Sequence, residues 1–181
     1  PMILAVDEVI DLPEFSRMTV EELEAKLKAA ELAIRAYTNN NFQNRFVRFW
    51  AESVQRRLTA THPTAVLDYL RVGDTVQVSQ SGVNDGLFVI EKIGDGFLEV
   101  TDELFPADHN LVTKVKYPAD VQSGVLNLLK WEVENRDKVG IKSETLSRHS
   151  VTYYDQDASN TVMGYPVSLL GFLKPYRKAR F

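Results

Sequence analysis

Apolar residues recur three and four apart near the start of the chain, at Val20, Leu23, Leu27, Ala30, Ile34 and Tyr37. Thr19 stands just before them and Glu22 three residues on, the reciprocal capping pattern that opens a helix. The spacing predicts an amphipathic helix of about five turns. Its outer face carries Glu21, Glu24, Lys28, Glu31 and Arg35, and Asn39-Asn40-Asn41 supplies a stop. From Phe42 to Thr61 two patterns compete: Phe42, Phe46, Phe49, Trp50, Ser53 and Val54 fit a helical stripe, whereas the aromatic and threonine content favours strands. The extended reading is preferred.

From Val66 to Tyr117 the pattern is β-like. Val76-Gln-Val78, Leu87-Phe-Val-Ile90, Leu98-Glu-Val100 and Val112-Thr-Lys-Val115 read as four short strands. Asn84-Asp85-Gly86 and Asp95-Gly96 lie between them, residue types that tolerate the positive φ of tight turns. A small, strongly bent sheet or SH3-like barrel is expected. Pro118 to Asp120 then opens a second long helix through Lys138, closed by Gly140. Val121, Val125, Leu126, Leu128, Leu129, Trp131 and Val133 cover more than half of its circumference, beyond the roughly 100° stripe of a surface helix. Cover on two sides is therefore expected. Glu132 and Arg136 fall inside that arc, four residues apart, where they can pair with each other or across an interface. Beyond Gly140, a Ser/Thr-rich run into Val151-Thr-Tyr-Tyr154 reads as a strand or extended arm, and Asp155 to Thr161 as a polar loop. Pro166 begins a helical turn, Val167 to Leu170, with a break at Gly171.

The chain has 181 residues, 44% of them hydrophobic, enough for one domain with a modest insertion. Its formal net charge of -4 gives no bulk attraction to nucleic acid. Without cysteine, thiolate metal sites, disulfides and cysteine nucleophiles are excluded together. The opening Pro-Met-Ile-Leu-Ala-Val run lacks a basic leader and soon meets Asp7 and Glu8, so a soluble protein made in the cytoplasm is expected, without a membrane partner.

Chemistry is hard to find. His62, His109 and His149 are isolated, with no metal-ligand spacing, and an ordinary histidine outweighs a catalytic one at each. Gly94-Asp-Gly96 is too short for a dinucleotide fingerprint, and no phosphate loop or nucleophile elbow occurs. Acid pairs such as Asp102-Glu103 read as solvated charge rather than acid–base machinery. No catalytic, cofactor-binding or metal-ligating residue is nominated, and the expectation is a protein that is not an enzyme. Between Thr64 and Pro118 four basic residues face nine acidic ones, a local net of -5, the wrong sign for gripping phosphates. The tail from Lys174 to Phe181 is the opposite: four basic residues and no acid, with Phe172, Leu173, Tyr176 and Phe181 interleaved. Such a composition favours a partner over solvent.

In the helix ending Ala-Ile-Arg-Ala-Tyr-Thr-Asn-Asn-Asn-Phe, the helix Leu-Leu-Lys-Trp-Glu-Val-Glu-Asn-Arg-Asp and the arm Lys-Ser-Glu-Thr-Leu-Ser-Arg-His-Ser-Val-Thr-Tyr, the chain resembles the head-tail connector proteins of tailed bacteriophages, also called portal adaptors or head-completion proteins. The resemblance spans Thr19 to Asn41 and Tyr117 to Tyr154. It implies a small helical bundle; together with the β-like pattern read above, the expected fold is α+β, a small helical bundle with an inserted short-stranded β-barrel-like subdomain and an extended C-terminal arm. The segments are 1–63, the N-terminal part of the bundle; 64–118, the insert; 119–140, the completing helix; and 141–181, arm and tail. The β insert departs from simpler family members.

The resemblance further implies a structural virion protein at the head-tail junction, assembled in the host cytoplasm as a homo-oligomeric ring, a dodecamer, between the portal and a downstream neck or stopper protein. Double-stranded DNA would pass through its lumen without specific binding, for which surplus carboxylates are suited. No cofactor is implied. Portal contact falls to Phe172, Lys174, Tyr176, Arg177, Lys178, Arg180 and Phe181, and subunit contact to Leu128, Trp131, Glu132, Arg136, Arg148, His149 and Tyr153. The competing readings are a nucleic-acid-binding module with an SH3-like barrel and an enzyme built from scattered carboxylates.

Overall fold

The computed structural model describes residues 3–62, 65–135 and 161–179, and the main chain alone of 143–146 and 149–152. Helix and sheet are mixed, an α+β protein, and the strands do not close into a barrel. The chain divides into two compact units: a helical one, Ile3–Asn40 with Pro118–Phe181, and a β unit, Asn41–Tyr117.

In the helical unit, α1 (Val6–Ile10) and a 3-10 turn (Pro13–Phe15) precede α2 (Val20–Thr38). The capping box forms as expected, Thr19 Oγ1 accepting from Glu22 N at 3.2 Å while Thr19 N donates to the Glu22 carboxylate at 3.0 Å. Asn39 ends α2 in the left-handed region, φ 49°. Leu23, Leu27 and Ile34 are buried, and so is Glu31, which had been expected on the outer face. The second long helix, α3, is Ala119–Asn135; its expected continuation to Lys138 and the Gly140 cap lie outside the described residues. Lys26 of α2 meets Glu132 of α3 at 2.6 Å, and Lys130 of α3 meets Glu14 at 2.6 Å.

In the β unit, Phe42–Thr61 is extended, as β1 (Gln43–Ala60), followed by β2 (Thr75–Ser79), β3 (Gly86–Gly94) and β4 (Phe97–Val115). Alternation decides β1: Val47, Phe49, Ala51 and Ser53 are buried while Phe46, Trp50, Glu52 and Val54 are exposed, a period of two. The strands are not all short. Leu98–Val100 and Val112–Val115, expected as separate strands, belong to one 19-residue β4 that pairs antiparallel along the 18-residue β1. The order is β1-β4-β2-β3, with β3 also pairing β4, so the sheet bends strongly. Its concave side holds Val47, Phe49, Leu58, Val76, Val78, Ile90, Leu98, Val100 and Val112. Asp95-Gly96 makes the expected tight turn, Gly96 at φ 76°, but in the loop before β3 the positive φ falls on Gln80 and Gly82 rather than on Asn84 or Gly86. Because β1 belongs to this unit, the insert begins at Asn41 rather than near residue 64. Its two ends meet: Lys116 N donates to Phe42 O at 2.9 Å, and the Phe42 and Tyr117 rings lie 4.8 Å apart.

Past α3, β5 (Ser143–Leu146) and β6 (His149–Thr152) form a two-stranded antiparallel hairpin, where the sequence allowed a strand or an arm. A smaller hairpin, β7 (Thr161–Val162) and β8 (Tyr165–Pro166), leads into a 3-10 helix, Val167–Tyr176. That helix does not break at Gly171 as expected. Leu170 and Leu173 on either side are both buried, and their anchoring carries the turn through.

Candidate functional site

The tail expected to reach for a partner is, in its described part, folded onto its own unit. Phe172 lies against Gly124 of α3 so closely that a Cβ there would stand 2.5 Å from the ring, which only glycine permits. Tyr176 Oη donates to the Asp120 carboxylate, with Oδ1 and Oδ2 at 2.8 and 2.9 Å. That hydrogen bond, then partial desolvation and the Asp120 charge, hold the phenol above its ordinary pKa. Three further hydrogen bonds fasten the main chain around the C-terminal end of α2: Asn40 Nδ2 to Tyr176 O at 3.1 Å, Lys178 N to Thr38 O at 2.8 Å, and Asn39 Nδ2 to Ala179 O at 2.8 Å. Arg177 sits 5.1 Å from the Tyr37 ring centre. A helix C-terminus has unpaired carbonyls and negative dipole character, so it can hold basic residues that sequence pattern alone left without a place. Lys174, Arg177 and Lys178 remain exposed; Arg180 and Phe181 lie outside the described residues.

The expected subunit-contact residues separate. Leu128 is a core residue, 2% exposed, rather than part of an interface flank. Trp131 is half-buried, with Tyr165 edge-on at 5.8 Å. Glu132 spends both carboxylate oxygens within the unit, Oε1 on Lys26 at 2.6 Å and Oε2 on Tyr165 Oη at 2.8 Å. The broad apolar arc of α3 thus finds much of its cover on its own chain. Arg136, Arg148 and Tyr153 lie outside the described residues, and of His149 only the main chain, in β6, is described.

Two features of the β unit had no clear sequence signal. Ser53, Asn84 and Asn110 form a buried, fully bonded polar cluster. Asn84 Nδ2 donates to Ser53 Oγ at 3.0 Å and to Phe105 O at 2.9 Å, while its Oδ1 accepts from Phe105 N at 2.8 Å. Asn110 Nδ2 donates to Ala51 O at 3.0 Å and Ala107 O at 3.1 Å. This cluster ties the β2–β3 loop to irregularities in the β1–β4 ladder. An Asn buried in a strand pattern was the only hint, and three such residues far apart in sequence do not announce their meeting.

The second feature is a groove of about 570 Å³ lined by Val54, Thr59, two carboxylates, Glu99 and Glu103, and two arginines, Arg56 and Arg57. Arg57 bonds Glu99 at 2.8 Å and lies 4.1 Å over the Phe97 ring, and Arg56 pairs with Glu91. The Arg57 hydrogen bond leads in holding the Glu99 carboxyl below its usual range. Adding β1 also changes the charge balance: over 41–117 there are eight basic and ten acidic residues, a milder excess than the expected insert carried. Among the described residues no group of His, Asp and Glu stands close enough to hold a metal ion, and no helix is long and apolar enough to cross a membrane. No protein-family model and no curated protein matches the sequence.

Proposed function

We propose that the chain is a structural adaptor that assembles as a ring, a dodecamer by the family resemblance, between a phage portal and the next neck protein. In this reading the helical unit is the bundle of the connector family and the β unit an added, partly open SH3-like subdomain. One observation carries it. The segment with the most specific resemblance forms the β5–β6 hairpin, the next described element after α3, and within the described residues those two strands pair only with each other. An isolated two-stranded ladder is marginal in water and has two hydrogen-bonding edges to offer, so neighbouring copies are its natural complement. The order of long capped helix, second long helix and hairpin follows the resemblance, from which the β unit between the helices departs. Portal contact then rests on the outward Lys174, Arg177 and Lys178, with Phe172 and Tyr176 holding the tail in place.

Electron microscopy of the full chain mixed with portal tests this. Rings seated on the portal support it; separate particles at every ratio refute it. A second reading, a nucleic-acid-binding module, draws support from Phe46 and Trp50, both exposed on β1 close in sequence to Arg45. Against it, Arg56 and Arg57 are already paired with carboxylates. Steeply salt-dependent oligonucleotide binding would favour it.

A further inference from the structure

The β1–β4 ladder breaks register by three residues in two places, in opposite senses. Near its start Asn44 faces Lys114 and Arg48 faces Thr113, so Arg45, Phe46 and Val47 of β1 have no counterpart in β4. Farther on, Gln55 faces Leu104 and Arg57 faces Glu99, so Val100–Glu103 of β4 stand against Arg56 alone. The first bulge is a braced knob. Val47 plugs into the core, 6% exposed, while Phe46 beside it is 95% exposed. Phe46 N donates to Asn44 Oδ1 at 3.2 Å; Arg48 donates through Nε to Thr113 Oγ1 at 2.9 Å and through Nη2 to Gln43 Oε1 at 3.1 Å. The second bulge borders the groove through Glu103.

We infer that the Arg45-Phe46 knob of one copy docks in the Val54-Glu103 groove of a second copy. An aromatic held out in water on a hydrogen-bonded bulge is the form an interface anchor takes, its main chain already ordered before binding. Charge selects the occupant. Arg45 is an exposed cation at the knob and Glu103 an exposed carboxylate at the groove, neither in an ion pair among the described residues, while the two arginines that line the groove, Arg56 and Arg57, are paired with Glu91 and Glu99. Val54, 60% exposed, offers the ring an apolar wall. Knob and groove are different surfaces, so the contact is head-to-tail, the kind that closes into rings or runs on as filaments. The inference deepens the ring reading and rests on it only in requiring copies to meet.

Sedimentation of the full chain over a range of concentrations tests it. Phe46→Ser should weaken self-association about 30-fold, the effect of losing one interface anchor. Its residue is exposed, so a native circular-dichroism spectrum and melting temperature are expected and serve as the check on folding. Arg45→Glu and Glu103→Arg should each weaken association, and mixing the two variants should restore pairing between them. Wild-type association indifferent to Phe46→Ser, or charge reversals that mixing does not rescue, would overturn the inference and leave the ring reading standing. A chain that stays monomeric alone overturns it too, and the ring reading is then judged by the portal particles. Oligonucleotide binding lost in Phe46→Ser, without self-association, would overturn it in favour of the nucleic-acid module.

Discussion

The helical and β units treat their apolar residues in opposite ways. In the helical unit the broad apolar arc of α3 is covered to a large extent by its own chain, with Leu128 in the core and Phe172 pressed onto Gly124. The β unit seals an aliphatic core and still leaves Phe46, Val54, Tyr69, Val72 and Phe105 each more than half exposed. Stickiness expected of the helices and the tail is found in the β unit, on its strands and on the turn before β2. A contiguous amphipathic pattern shows how much apolar surface an element has; which part stays wet depends on what returns to cover it.

The largest effect that would sharpen the contrast is Leu128→Asp. A charge in that position has no partner, and a loss of about 4 kcal/mol or more is expected, read as a collapse of hydrogen-exchange protection in α2 and α3. Persistence of protection in β1 and β4 would show that the two units hold separately; joint loss would show one cooperative structure.

Next comes Asn110→Ala in the β unit, which strips partners from Asn84 and from the carbonyls of Ala51 and Ala107. The expected cost is about 1–3 kcal/mol for each buried group left unsatisfied, measured by urea unfolding. A neutral result would mean that water replaces the carboxamide and that the cluster does not pin the ladder.

Thr19→Ala, a smaller change, should cost about 1 kcal/mol by removing one half of the capping box. Thermal unfolding measures it, with the loss confined to the helical unit. Smallest is the release of the tail. Tyr176→Phe should speed amide exchange at Arg177 and Lys178 while leaving the melting temperature nearly unchanged. Alkali should do the same: the folded phenol titrates above its unfolded value of about 10, so its contribution is complete below that pH and is lost as pH rises through the raised folded value. A tail equally protected at neutral pH and beyond that rise would show that Tyr176 does not hold it.

Local chemistry was the legible part. Thr19 and Glu22, the Asn39 stop and the Asp95-Gly96 turn act within a few residues, where sequence spacing is physical spacing, while in β1 composition pointed to a strand and the alternation went unread. What was missed depended on distant partners. The union of Leu98–Val100 with Val112–Val115 in one strand follows from pairing with an equally long β1. The burial of Glu31, the meeting of Ser53, Asn84 and Asn110, and the Tyr176–Asp120 bond each need residues brought together by the fold. The knob was hidden for the same reason: Phe46 looked like one more member of an apolar stripe until register placed it outside.

The meeting of Phe42 and Tyr117 has an engineering consequence. A segment whose two ends finish side by side behaves as a cassette: it can be spliced out and the gap closed with a short Gly-containing linker, at little entropic cost. Replacement of 43–116 by such a linker would separate what the sheet contributes from what the helical unit does unaided.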